Sequence, residues 1–240
     1  MNFHIVTIFP DMFVSYFAES IISRAIENKI ISVNTYALRE YTTDKHRRVD
    51  GKPYAGGPGM VMWVEPIINC VESINKKIAK RIEKENLKLE KLAVKTGKKA
   101  KLVKSKVKIV IMSPGSIEFT NAVAKETVGK YTDTIFICGR YEGIDARVKK
   151  ILKADEWTVG PYVLTGGELP AMICIDAMSR QIGGVLHDED SIEENRVSSH
   201  EIYARPEIFK YKNKNYKVPE VLLSGNHKLI EEWKISTKGK

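Results

Sequence analysis

The sequence has no run of 18 or more apolar residues, which excludes a membrane-spanning helix of ordinary length. It has no basic leader followed by a long apolar stretch. Met1-Asn2-Phe3-His4 opens directly into Ile5-Val6, so no secretory signal is read. Cysteine is scarce. Cys70, Cys138 and Cys174 are far apart and show no paired metal spacing. Cys138 and Cys174 sit in apolar runs, where a buried thiol is the ordinary condition. A reduced, cytoplasmic setting follows. His46, His187, His200 and His227 also lack a metal-binding spacing, so no metal site is expected. No glycine-rich stretch ends in Lys-Ser or Lys-Thr, which excludes a phosphate loop. Gly-x-Gly-x-x-Gly is absent, so a dinucleotide site is poorly supported. No internal repeat is found.

What is there is an ordinary globular composition, 43% hydrophobic and 29% charged, long enough at 240 residues to bury a core. The net charge is +9, but its distribution is uneven. Lys76–Lys106 holds 13 basic and 3 acidic residues, and the remaining chain is close to neutral at −1. Such a tract can contact phosphates non-specifically. It can equally be a solvated lysine-rich helix or an insertion, and the scarcity of arginine and aromatic residues favours that reading. Overall basicity therefore does not by itself establish RNA binding.

Strand-like segments at Phe3–Phe9, Ile31–Leu38, Val107–Met112, Thr134–Cys138 and Trp157–Val163 alternate with helical patterns. The helices are expected from Pro10 to about Asn28, from Val64 onward, and over Glu118–Val128, Asp145–Leu152 and Glu168–Ile182. In the first, Phe13, Phe17, Ile21, Ile22 and Ala25 would share one face. Arg39–Met60 reads as a polar, glycine-rich loop. The alternation predicts an α/β domain over 1–186 with a parallel sheet and the lysine-rich insertion near 76–106. Residues 187–200 read as a polar linker, and 201–240 as a small, mainly helical C-terminal domain. Its last helix is expected near Lys228–Lys234, with Ser224 or Asn226 as cap.

In a parallel sheet, ligands bind beyond the carboxyl ends of the strands. Three glycine-bearing loops follow strands here: Ser113-Pro114-Gly115, Gly139-Arg140-Tyr141-Glu142-Gly143, and Gly160 through Gly167. A pocket built from them would present mainly backbone donors and acceptors, which suits a flat neutral base. Taken singly, each loop is more simply an ordinary strand-to-helix turn.

Five segments carry more than this: DGKPYAGGPGMVM (50–62), SPG (113–115), CGRYEGIDARV (138–148), VGPYVLTGGELPAMICIDAMSRQIGGVL (159–186) and VPEVLLSGNHKLIEEW (218–233). In this order they resemble the bacterial tRNA (guanine-N1)-methyltransferases, the TrmD family of SPOUT type. GRYEGID and YVLTGGELPAM are long and specific. The resemblance implies a parallel α/β domain with a deep trefoil knot, one of the rare exceptions to unthreaded connections. It implies a homodimer with active sites shared between subunits. It implies S-adenosyl-L-methionine as methyl donor, held by Ser113, Pro114, Gly139, Tyr141, Glu142, Val159, Gly160, Pro161, Tyr162, Val163, Leu164, Gly166, Gly167 and Pro170. The implied substrate is the guanine at tRNA position 37, beside the anticodon, with the C-terminal domain helping to hold the tRNA.

Guanine N1 carries a proton at neutral pH. Its methylation needs a base for that proton and a cation to stabilise charge developing on O6. The resemblance assigns Asp190 as the base, with Asp188 and Glu189 as neighbouring rivals, and Arg180 as the cation. Without it, Asp190 reads as a solvated linker carboxylate and Arg180 as a helix C-terminal cation. Glu142 and Asp145 are expected to order their loop and the dimer interface. Magnesium is compatible with the reaction, but nothing in the sequence reads as its site.

The chain departs from the family pattern at several points. Pro161 replaces the usual aspartate, Ala146 replaces a glutamate, and Ser-Pro-Gly-Ser replaces Ser-Pro-Gln-Gly. The 76–106 region is longer, the linker after Ser191 is atypical, and the C-terminal domain is expected to be shortened after Trp233. The alternative is a knotted RNA-binding protein without methyltransferase activity. Retention of both Arg180 and Asp190 argues against it.

Overall fold

A computed structural model describes residues 1–186 and 201–237. It divides into two compact units, Met1–Val185 and Leu186–Lys240. The first is built on five strands: β1 (Asn2–Thr7), β2 (Ser32–Ala37), β5 (Val107–Glu118), β6 (Asp133–Cys138) and β7 (Asp155–Thr158). Their order is β2-β1-β6-β5-β7, and every neighbouring pair is parallel. Two short strands, β3 (Asp50–Gly51) and β4 (Val61–Met62), form a separate antiparallel pair.

Strand side chains alternate between faces, so one sheet feeds two cores. Phe3, Ile5, Val110, Met112, Phe136 and Cys138 pack on one side. The helices there are α1 (Val14–Phe17), α2 (Ser20–Glu27), α4 (Asn121–Lys130) and α6 (Glu168–Arg180). Val6, Ile111, Ile135 and Ile137 pack on the other, beneath α3 (Val64–Thr96) and α5 (Arg147–Leu152). Coverage of both faces explains why the central strands read as continuous apolar runs.

The expected helix from Pro10 to Asn28 is interrupted. A 3₁₀ turn over Pro10–Phe13 leads into α1, and Glu19 is extended before α2 begins. The apolar spacing supplies the reason. The step from Phe17 to Ile22 is five residues, too long for one helical register, and the break lets both sides reach the core. Ile21 is consequently left exposed. The strand expected over Trp157–Val163 ends at Thr158. Pro161 has no N–H to donate, and Tyr162 folds back so that its hydroxyl donates to the Val159 carbonyl at 3.2 Å. The Ser113-Pro114-Gly115 segment is a bulge within β5 rather than a strand-to-helix turn. Met112 and Ile117 both register on Trp157, which throws the intervening residues outward, with Gly115 at φ +74°.

The second unit holds a hairpin, β8 (Ile208–Tyr211) and β9 (Lys214–Lys217), beside helices α7 (Glu220–Leu223) and α8 (His227–Ser236). The lysine-rich pattern of its strands hides the hairpin in the sequence. Asn226 caps α8, its side chain accepting from the Leu229 N–H. No helix among the described residues is long and apolar enough to cross a membrane.

Candidate functional site

Three adjacent strands, β6, β5 and β7, end on one edge of the sheet. The loops beyond them enclose a cavity of about 420 Å³. Residues 139–146 follow β6, the bulge of β5 contributes Ser113 and Pro114, and Val159 and 162–167 follow β7. Met112, Ile111 and Trp157 form part of its lining.

The glycines here have definite work. A Cβ on Gly167 would lie 2.8 Å from Cys138 Cα and 2.9 Å from the Gly139 nitrogen. Only glycine allows the start of α6 to rest on the end of β6, where the Gly167 N–H donates to the Gly139 carbonyl at 2.9 Å. A Cβ on Gly166 would meet the Arg140 side chain. The 139–145 loop turns through Tyr141 (φ +60°) and Gly143 (φ +126°) and is braced by the segment beside β4. Glu142 N–H donates to Met60, Met62 N–H to Gly143, and Asp145 N–H to Met62.

A buried ion pair joins the two longer loops. Arg140 Nε donates to Glu168 Oε2 at 2.8 Å, and Thr7 Oγ1 donates to Glu168 Oε1 at 2.7 Å. Glu168 is fully buried. Arg140 also donates to the Thr165 carbonyl and lies 4.8 Å from the Phe9 ring centroid. The first turn of α6, the end of β1 and both loops are thereby tied to one side chain. Arg140 and Glu168 lie within the GRYEGID and YVLTGGELPAM motifs, where neither residue type points to this role. Their pairing spans 28 residues and leaves no local periodic signal.

Other charges at the cavity are largely paired. Asp145 accepts from Arg147, which holds its carboxyl below the usual range, and Lys149 pairs with Glu156 at 2.6 Å. The backbone N–H groups of Tyr162, Val163, Leu164 and Gly166 meet no acceptor among the described residues. Free amides and carbonyls with apolar side chains between them can bind a planar, uncharged heterocycle, so the lining fits the adenosine part of the S-adenosyl-L-methionine that the resemblance implies. Among the described residues no group of three or more His, Cys, Asp or Glu side chains could hold a metal.

Of the residues assigned to the donor, Ser113, Pro114, Gly139, Tyr141, Glu142, Val159, Tyr162, Val163, Leu164, Gly166, Gly167 and Pro170 line this one cavity. Gly160 and Pro161 belong to the same loop but do not line it. Gly160 lies under the Tyr162 ring, which a Cβ there would meet at 2.4 Å. Arg180 is not brought to the cavity. It stands in the last turn of α6, about 18 Å along the helix from Glu168. Asp190, with Asp188 and Glu189, lies outside the described residues.

A parallel α/β sheet with a backbone-rich cavity beyond the carboxyl ends of its strands defines an α/β protein whose candidate ligand site lies in its loops. The chain belongs to the tRNA (Guanine-1)-methyltransferase TrmD family, whose pattern matches residues 1–240. It is similar to the tRNA (guanine-N(1)-)-methyltransferase of Clostridioides difficile (strain 630), 40% identical over 238 residues, covering 98% of this chain and 90% of that protein. The protein of the same name from Thermomicrobium roseum is 41% identical over 237 residues, covering 98% of this chain and 77% of its own. That from Desulforamulus reducens is 37% identical over 238 residues, covering 98% and 82%.

Proposed function

We propose that this chain transfers a methyl group from S-adenosyl-L-methionine to N1 of a guanine in tRNA, at position 37 beside the anticodon. The observation that carries the reading is the single cavity on which twelve of the residues assigned to the donor converge, in a chain that matches the family from end to end. The donor supplies an electrophilic methyl on a sulfonium. The chain's own residues do the rest. The three loops fix the donor, and the Arg140–Glu168 pair keeps those loops in register. Arg180 stabilises the charge that grows on guanine O6, and Asp190 accepts the N1 proton. The remaining acceleration comes from alignment. The loops around the cavity belong to a trefoil knot of the SPOUT type, and the enzyme works in the cytoplasm.

Two features of the first unit support a homodimer with shared sites. One is the length of α6 between the cavity and Arg180. The other is an apolar face left uncovered, with Leu169 and Ile173 on α6 and Met12, Val14 and Tyr16 nearby in sequence to one another. Tyr16 is tied to α6 through Asp176 at 2.5 Å. A second copy packed on this face by a two-fold axis that sets the two α6 helices antiparallel would bring its Arg180 toward the cavity.

The decisive experiment incubates the protein with a tRNA transcript and S-adenosyl-L-methionine and maps the modified base. 1-Methylguanosine at position 37 is expected, and an unmodified transcript overturns the reading. Asp190→Asn should abolish transfer while calorimetry still detects donor binding. Transfer near the parent rate would remove Asp190 as base.

A further inference from the structure

The last buried residue of α3 is Ile78, yet the helix continues to Thr96. Ala79–Thr96 extends about 25 Å with no buried residue. Burial does not account for this stretch. What it displays is charge. Lys77, Arg81, Lys84, Lys88, Lys91 and Lys95 follow one another at alternating steps of four and three, which places them on one helical face. At about 100° per residue, Glu83, Glu85 and Glu90 fall outside that stripe. Lys84, Lys88, Lys91 and Lys95 form no ion pair among the described residues.

The pairs Lys80/Lys84, Lys84/Lys88 and Lys91/Lys95 stack like charges one turn apart, which weakens a free helix. A polyanion along the stripe offsets these repulsions with lysine–phosphate attraction. The returning segment, 97–106, adds five lysines, and Asn86 pins it to the helix. Asn86 Nδ2 donates to the Val103 carbonyl at 3.0 Å, and the Val103 N–H donates to Asn86 Oδ1 at 2.7 Å. Leu87 and Val94 are exposed and share a phase, but Glu90 and Lys91 lie between them and exposed Leu92 falls on another side, so they make no continuous apolar face of the kind that settles into a lipid surface. Because the chain outside 76–106 carries a net charge of −1, this arm supplies the molecule's whole net attraction for a polyanion.

We propose that the exposed half of α3 is an RNA-gripping arm whose lysine stripe binds the phosphate backbone of the tRNA substrate. The identity of that RNA rests on the function proposed above; the RNA chemistry of the stripe does not. The test replaces Lys84, Lys88, Lys91 and Lys95 together with glutamine, and separately with arginine, in the full chain. Binding of a tRNA transcript is followed by fluorescence anisotropy across a potassium chloride series. The glutamine variant should bind about 10- to 100-fold more weakly near physiological salt, with a log–log salt slope shallower by about three. The arginine variant should match the parent, and donor binding by calorimetry should be equal in all three. Unchanged affinity and slope in the glutamine variant overturn the proposal. So does an arginine variant as weak as the glutamine one, which would mark a structural role. Parent binding to phosphatidylserine vesicles as tight as to tRNA would overturn it in favour of a membrane surface. If the parent methylates tRNA while the glutamine variant binds it normally, the arm fails and the catalytic reading stands. If stripe-dependent binding occurs without methylation, the reverse holds.

Discussion

At the residue scale, Glu168 does not line the cavity but ties together elements that frame it. Its carboxylate is fully buried and satisfied by Arg140 from one loop and Thr7 from β1. Removing one partner of a buried ion pair leaves the other charge uncompensated, which costs about 3–5 kcal/mol. Glu168→Ala should therefore lower stability by roughly that amount and release the loops at Thr165 and Gly139. Thermal unfolding measures the first effect and calorimetry with the methyl donor the second. A variant that binds the donor as the parent does would show that the ion pair does not organise the cavity. This role could not be read from the sequence, because an acid just after two glycines looks like a helix N-terminal charge. The glycines themselves were legible, since a backbone approach as close as that at Gly167 tolerates no other residue.

At the element scale, the sheet and most helices follow from apolar periodicity, while the departures have two kinds of cause. The β5 bulge is set by pairing with β7, which a local pattern does not contain, whereas the break before α2 and the early end of β7 follow from local details, the Phe17-to-Ile22 step and Pro161, that a broad apolar pattern runs over. The anchorage of α3 is another long-range device. Arg81 donates to Asp133 Oδ2 at 2.8 Å, and His4 Nε2 lies 3.0 Å from Asp133 Oδ1, at the start of β6. Burial works to raise the Asp133 pKa, but hydrogen bonds from His4, Arg81 and Thr132 outweigh it and hold the carboxyl at about 2, against an ordinary 3.8. A depressed carboxylate pKa stabilises the fold above its unfolded value, and that contribution is lost as pH falls through the folded value. Asp133→Asn should accordingly cost about 2–3 kcal/mol at neutral pH. The gap between parent and variant should close as pH falls from about 4 to about 2. Denaturant unfolding at a series of pH values checks this. A gap that stays constant through that window would mean Asp133 acts by shape and not by charge.

At the scale of the whole molecule, the question is how Arg180 reaches a cavity whose last lining residue on the same helix, Pro170, lies about 15 Å back along the axis. The family resemblance implies a shared site, and the position of Arg180 far along α6 is the feature of the fold that a shared site would account for. A two-fold dimer presents the same face twice, so each cavity would meet the partner's Arg180. That arrangement has a consequence a self-contained site lacks. Leu164 lines the cavity at its exposed edge, so Leu164→Arg should block donor binding with little effect on the core. Arg180→Ala should leave donor binding intact and remove the cation. Each variant alone should be inactive. Unfolded together and refolded as a mixture, they form heterodimers in which one cavity is blocked and faces a missing arginine. The other is intact and faces the arginine of the Leu164→Arg chain. Statistical pairing puts half the molecules in that state with one working site each, so methylation should recover to about a quarter of the parent rate. If Arg180 instead serves the cavity of its own chain, every site in the mixture carries a defect and no activity returns. Methyl transfer measured before and after mixing thus decides between a site divided across two subunits and a site confined to one.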